Sequence, residues 1–383
     1  MTTSVSPHPN MRYRRLGRAG LDVGEIGLGT EYLKDVPRET TISVTREALD
    51  RGVNYMDMFY GDAETRDRFG DALEGRWGQV LFAGHLGAGV RDGKHSRIRG
   101  NDECEEYFHD LLRRLRTDHI GVCMLHWFDA EDDFDQHFDD MATVAQRLQR
   151  EGKARLIGFS THKVPIALKA IESGLIDVLM FPINLAGNAM PERKEFLATC
   201  ARHDVALVAM KVYAGGKLLQ ETIDLQSVQS GWEGTEKTVS APVTPPQCLS
   251  YALSQIAVCT TVPGPSSLTE LDATFSYLTA TDEQRDFSSV ISAFEEYREG
   301  ECVYCNHCLP CPADIDIGRT IRLLETAGPD PSPDLITAYE SLPAPASACT
   351  ECGDCTDRCP FGVDVIPKIH AAATLFEPIG GQT

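Results

Sequence analysis

Over the first ~280 residues, apolar runs of strand length alternate with amphipathic stretches of helical length. The strand-like runs are Glu25–Thr30, Val53–Phe59, Val80–His85, Ile120–Trp127, Ala154–Ser160, Val178–Asn184, Ala206–Val212 and Ala257–Gly264. The helix-like stretches are Glu39–Arg51, Glu64–Gly75, Asp102–Arg116, Phe134–Glu151, Val164–Ser173, Pro191–His203, Thr244–Ser254 and Ser267–Leu278. Gly52, Gly75, Gly152 and Gly174 stand where helices stop, at positions that favour a left-handed backbone. Continuous apolar runs suit strands buried on both faces, as in a parallel sheet. Eight such βα units predict an α/β fold, a (β/α)8 TIM barrel over residues 1–282. A doubly wound open sheet is the alternative. It would normally carry G-x-G-x-x-G after its first strand, where this chain has Gly27-Leu28-Gly29-Thr30.

Beyond the barrel, residues 283–383 are expected to form a second domain, entered through a polar helix from about Asp282 to Glu299. Pro242–Pro246 and Ala327–Pro345 are expected to be loops. Tyr213–Pro246 is long for a βα connection and reads as a lid over the barrel mouth or as a flexible insertion.

Composition narrows the function classes. The 383 residues include 36 basic and 57 acidic side chains, giving a net charge of −21. The hydrophobic fraction of 42% and charged fraction of 24% suit a globular chain and exclude a mainly disordered or fibrous one. The acidic balance argues against nucleic acid and anionic membranes as partners. The opening MTTSVSPHPN has no apolar core of a signal peptide, and no run of 18 apolar residues follows, so a cytoplasmic protein is expected.

Of the 13 cysteines, eight lie in two regular runs. The first is Cys302-x2-Cys305-x2-Cys308-x2-Cys311-Pro312, and the second is Cys349-x2-Cys352-x2-Cys355-x3-Cys359-Pro360. The second run has the bacterial ferredoxin spacing, in which three thiolates hold one cluster and the fourth reaches across to the other. That logic predicts two 4Fe–4S clusters in a ferredoxin-like dicluster domain. One would be held by Cys302, Cys305, Cys308 and Cys359, the other by Cys349, Cys352, Cys355 and Cys311. Zinc sites or a disulfide knot are the alternatives, but zinc prefers two separated C-x2-C pairs. Ile315, Ile317, Val363, Val365 and Ile366 are candidates to keep water from the clusters.

Barrel chemistry sits at the C-terminal strand ends. Those ends carry Asp57 and Tyr60, His85, His126 with Trp127, Ser160 with His162, Asn184, and Lys211. The eighth strand runs into Pro263-Gly264-Pro265-Ser266-Ser267 at a helix start, which can hold an anion on free amides or serve simply as an N-cap. Asp57, Tyr60, His85, His126, Trp127, Ser160, His162, Asn184, Lys211, Gly264 and Ser266 are therefore the candidates for a site at this mouth, catalytic and binding roles together.

With these motifs in place, the sequence resembles the aldo/keto reductase superfamily, in its branch with a C-terminal dicluster domain. The resemblance rests on Met11–Val23 as an opening hairpin, Leu115–Ile120 before strand four, Ile157–His162, Met210-Lys211 and both cysteine runs. It implies hydride transfer between NAD(P)H and a carbonyl by an Asp, Tyr, Lys, His tetrad. Asp57 and His126 match that tetrad, His85 stands at the Lys position, and Tyr60 follows Asp57 by three residues rather than five. The dinucleotide signature keeps Gly264 and Ser266, but no Arg follows and the usual Glu-Asn reads Asp272-Ala273. Besides a zinc or iron site on the His and Asp residues of the barrel mouth, which no H-x-H or H-x3-H spacing supports, three functions remain open. The first is an iron–sulfur enzyme passing electrons to or from a small carbonyl or hydroxy compound, with a ferredoxin- or flavodoxin-type partner. The second is an NAD(P)H carbonyl reductase with accessory clusters. The third is a non-enzymatic electron-transfer subunit.

Overall fold

The computed structural model describes residues 10–189, 192–221, 223–224, 238–239, 243–293, 300, 302, 304, 308–359 and 362–377. An antiparallel hairpin, β1 (Tyr13–Arg15) with β2 (Asp22–Gly24), opens the chain. Eight parallel strands then form one sheet: β3 (Leu28–Gly29), β4 (Tyr55–Met58), β5 (Leu81–Leu86), β8 (Ile120–Leu125), β9 (Ala154–Ser160), β10 (Val178–Pro182), β11 (Ala206–Met210) and β14 (Val258–Thr261). A parallel bridge from Ile26 to Thr261 joins the two edge strands, so the sheet curls into a nearly closed barrel. The doubly wound alternative is thereby excluded.

The outer helices follow the predicted beat: α1 (Arg38–Asp50), α2 (Ala63–Ala72), α3 (Asn101–Leu115), α4 (Glu131–Arg150), α5 (Val164–Glu172), α6 (Arg193–Arg202), α7 (Pro245–Ser254) and α8 (Leu268–Phe275). The helix α4 starts earlier than its apolar pattern, because Glu131, Asp132 and Asp133 favour a helix N-terminus. The period-2 strand pattern separates two cores. Tyr55, Ala83, Val122, Met124, Val178, Met180 and Val208 fill the lumen, while the opposite strand faces pack on the helices. Gly158 makes room in the lumen: a Cβ there would stand 2.1 Å from the Met124 sulfur.

Three expectations need correction. A second hairpin, β6 (Ala88–Arg91) with β7 (Lys94–Arg97), follows β5 and was not foreseen. Its turn is Asp92-Gly93, both at positive φ, the strongest short hairpin signal. The expected single helix from Asp282 is broken into α9 (Asp282–Arg285) and α10 (Ser288–Ala293), because Asp286 turns its carboxylate onto the Ser288 amide and its carbonyl onto Gln247. Ala327–Pro345 is not all loop. After α11 (Ile317–Thr326) it contains α12 (Pro333–Glu340), started by the Ser332 cap and by Pro333 at the first turn, where a missing N–H costs nothing. The chain ends in α13 (Asp354–Asp357) and α14 (Val365–Phe376). Among its described residues the C-terminal region has helices and no strand, so its ferredoxin likeness lies in cysteine spacing. In the 213–246 segment a short hairpin, β12 (Ile223–Asp224) with β13 (Thr238–Val239), is described. Most of what a lid would need lies outside the described residues.

Candidate active site

The lumen rows of three neighbouring strands end in polar residues at the same height. In β4 the inward row runs Tyr55 to Asp57, in β5 Ala83 to His85, and from β8 Met124 to His126. Asp57 lies opposite Ala83 and His85 opposite Met124, and the His126 amide donates to the Leu86 carbonyl at 3.0 Å. Strand alternation thus delivers one carboxylate and two imidazoles to one buried spot. All three are 5% exposed or less.

They form a continuous chain. His85 Nε2 is 2.9 Å from Asp57 Oδ1, and His85 Nδ1 is 2.8 Å from His126 Nδ1. The chain continues to a residue that sequence reasoning missed: His95 Nε2 on β7 is 3.1 Å from His126 Nε2. Phe59 covers it, its ring stacked on His126 and edge-on to His95. The hairpin sits close because Gly61 and Gly89 touch backbone to backbone; a Cβ on Gly61 would stand 2.5 Å from Gly89 Cα. Tyr107 fixes the hairpin by accepting from the Val90 amide and donating to its carbonyl.

Burial pushes the His126 pKa well below the usual imidazole value, and His85, His95, Arg99 and Arg97 act in the same direction. Burial also lowers His95, helped by His85 and Lys34 and opposed by Asp62. Tyr60 is adjacent but faces away: its hydroxyl donates to the Glu31 carbonyl at 3.2 Å, and its ring lies edge-on to His95. Burial, with Glu31 and Asp35 nearby, pushes its phenol far above the usual value.

The binding candidates divide. Ser160 accepts from the Trp127 amide, and Asn184 donates to the Lys211 carbonyl while accepting from the Gly187 amide, so both brace strand ends. Trp127 is 37% exposed at the rim, under the Arg97 guanidinium. His162 is held through Nδ1 by Asp129, which also accepts from the Trp127 indole. Burial alone would raise the Asp129 pKa, but the His162 and Trp127 contacts prevail and hold it well below the usual carboxylate range. Gly264 lies against the Tyr32 ring. At the start of α8 the Ser266 amide and hydroxyl both donate to the Glu270 carboxylate, and Ser267 caps the helix. The anion cradle is filled by the chain's own acid. A dinucleotide phosphate does not fit there as arranged.

In the C-terminal region, one cavity is lined by Cys311, Cys349, Cys352 and Cys355, with Ile315, Ile317, Ile366 and Ile369 around them. This is the set expected from the crossed spacing. Arg358 beside Cys359 donates to the Cys308 and Pro310 carbonyls, bringing the end of the second run onto the first. Cys305 lies outside the described residues. Among the described residues no three His, Cys, Asp or Glu converge as ligands of a single metal ion. A cubane asks for something different, since each thiolate binds its own iron corner and the four stand further apart. An all-thiolate donor set in an apolar shell fits such a cluster.

A (β/α)8 barrel with ionisable groups gathered at its strand ends belongs to a large class of enzymes. The sequence model of the aldo/keto reductase family matches residues 23–293, and the chain belongs to that family, whose members are oxidoreductases. It is 26% identical over 280 residues to the uncharacterized oxidoreductase YqkF of Bacillus subtilis, covering 68% of this chain and 89% of the relative. It is 24% identical over 200 residues to the methylglyoxal reductase DkgB of Escherichia coli O157:H7, covering 51% and 69%. The holo form of the aldo-keto reductase AKR11C1 from Bacillus halodurans superposes with a TM-score of 0.60 at 23% identity, covering 73% of this chain and 96% of the other. A putative aldo-keto reductase from Pseudomonas aeruginosa gives 0.56 at 19% identity, covering 73% and 98%. These two likenesses concern the fold. Among the described residues no helix is long and apolar enough to cross a membrane.

Proposed function

We propose that this chain is an iron–sulfur oxidoreductase of the aldo/keto reductase type. It interconverts a small carbonyl and its hydroxy form at the barrel mouth, with electrons passing through two 4Fe–4S clusters in residues 283–383. The observation that carries the reading is the cavity lined by Cys311, Cys349, Cys352 and Cys355, one cysteine from the first run and three from the second. Cys302, Cys305, Cys308 and Cys359 would hold the other cluster. When bound, such clusters supply one-electron transfer over a wide range of potentials. The chain's own part is proton management and orientation. Asp57 orients His85 and His85 orients His126, which sets ring nitrogens in line to pass a proton. Trp127, His162 and Lys211 would frame the substrate. A ferredoxin- or flavodoxin-type protein would supply or remove electrons.

Family membership favours a second reading, an NAD(P)H carbonyl reductase with accessory clusters. One experiment separates the two. Protein reconstituted anaerobically should bind about eight irons and eight sulfides per chain. Its visible cluster absorbance is then followed on adding NADH, NADPH or dithionite, with methylglyoxal and other small carbonyls as oxidants. Bleaching by dithionite and recovery by a carbonyl support the first reading. Nicotinamide-driven carbonyl reduction that survives cluster destruction replaces it with the second, and a chain that binds no iron refutes it.

A further inference from the structure

We propose that His95 is the catalytic residue that exchanges a proton with the substrate oxygen, and that His126, His85 and Asp57 behind it form a proton wire. This rests on the reading that a carbonyl or hydroxyl group enters the barrel mouth. The argument comes from counting nitrogens. Both ring nitrogens of His85 are used, one on Asp57 and one on His126. Both of His126 are used, on His85 and on His95. His95 spends Nε2 on His126, which leaves its Nδ1 as the free end of the chain. That atom is buried and has no hydrogen-bond partner among the described residues, although the ring as a whole is only half-buried. Leaving a buried acceptor unsatisfied is costly, so a hydroxyl donor arriving there is favoured.

The proton count closes in both directions. With Asp57 ionised, His85 donates from Nε2 to Asp57, His126 from Nδ1 to His85, and His95 from Nε2 to His126. His95 Nδ1 then offers a lone pair. When it takes the proton of a hydroxyl group, each imidazole passes one proton inward and Asp57 ends as the carboxylic acid. All three rings are neutral again, and His95 now presents an Nδ1–H. The reverse shift donates that proton to a carbonyl oxygen and restores the Asp57 carboxylate. Reducing the carbonyl takes two electrons, from the ferredoxin- or flavodoxin-type partner named above, and two protons: the wire puts one on oxygen, and solvent water at the barrel mouth supplies the one that bonds to carbon. Oxidation returns both electrons to that partner and releases the carbon-bound proton to water, so neither the electrons nor that second proton pass through the wire.

The surroundings suit transfer rather than storage on a ring. Lys34 and Asp62 face His95, while Arg97 and Arg99 face His126. Phe59 packs on the His126 and His95 rings. The Tyr60 hydroxyl is already given to the Glu31 carbonyl, so it does not compete.

The test has two arms on the full-length protein. Long-range nitrogen–proton correlation spectra of 15N-histidine-labelled protein read each tautomer near neutral pH. All three rings should be neutral and point the same way, either toward Asp57 or away from it. An imidazolium at any of the three rings, or a ring pointing against its neighbours, overturns the wire. This arm needs neither cluster nor substrate, so it still decides if the iron–sulfur reading fails. The second arm uses methylglyoxal reduction by dithionite-reduced protein. His95→Gln keeps a hydrogen bond to His126 but cannot relay a proton. It should lower kcat by about 10²-fold or more, leave KM within about threefold, and flatten the pH profile. A His95→Gln protein with wild-type kcat and pH profile overturns the catalytic role; an unchanged fold is checked by circular dichroism.

Discussion

Two imidazoles whose pKa values are pushed down tie stability to pH. An unfolded chain takes up protons on His95 and His126 as pH falls through about 6.5, while the folded protein resists. Their contribution is therefore complete above that value and is lost progressively as pH drops toward the folded-state pKa. The urea midpoint should fall between about pH 7 and 5, and His126→Gln should show a shallower fall over the same window. Arg66 makes a second residue-scale prediction. It is 1% exposed and donates to the Tyr60 and Tyr107 carbonyls and to Asp110, joining the loop after β4 to the helix under the second hairpin. Arg66→Met strands two carbonyls and should cost about 2–4 kcal/mol in a denaturant titration. Asp57, His85 and His126 were legible because each continues an inward row of apolar strand residues. His95 was not, because its partner lies 31 positions away on another strand and nothing in its own neighbourhood marks it.

Element boundaries followed from periodicity wherever a segment is buried on a defined face. The eight barrel strands and the eight helices around them fall within a few residues of the apolar pattern. The misses have local chemical causes, namely the Asp92-Gly93 turn, the Asp286 cap and the Ser332-Pro333 helix start. The hairpin matters most, because its placement rests on Gly61 meeting Gly89 without a Cβ between them. Gly61→Ala should push the hairpin off the barrel by several tenths of an ångström or more and cost about 1–3 kcal/mol. Faster amide exchange confined to residues 88–97, with the His95 tautomer signal lost, is the expected signature. Unchanged exchange there would mean the contact does not hold the hairpin.

At the scale of the whole molecule, the proposed iron–sulfur reading makes a prediction if its cysteine sets are crossed that it would not make with uncrossed sets. Cys311→Ser should remove the same cluster signal as Cys352→Ser, and Cys359→Ser the same one as Cys302→Ser, each with about half the iron, by electron paramagnetic resonance and iron assay. Loss of the same cluster by Cys311→Ser and Cys302→Ser would mean each run binds its own. Glu325 helps fasten the C-terminal region to the barrel. Glu325 on α11 accepts from the Tyr304 phenol of the first cysteine run and pairs with Lys368 of α14 and Lys194 of the barrel helix α6, while Arg322 donates to the Ser254 carbonyl at the end of α7. So fastened, the cysteine region is a wall of the molecule and not a swinging arm. Under the iron–sulfur reading, an electron entering at the exposed Cys352 edge travels a path of constant length. Its arrival rate is then set by collisions with a donor at that edge, so turnover should rise with donor concentration, change with ionic strength, and fall as an added viscogen slows the donor's diffusion.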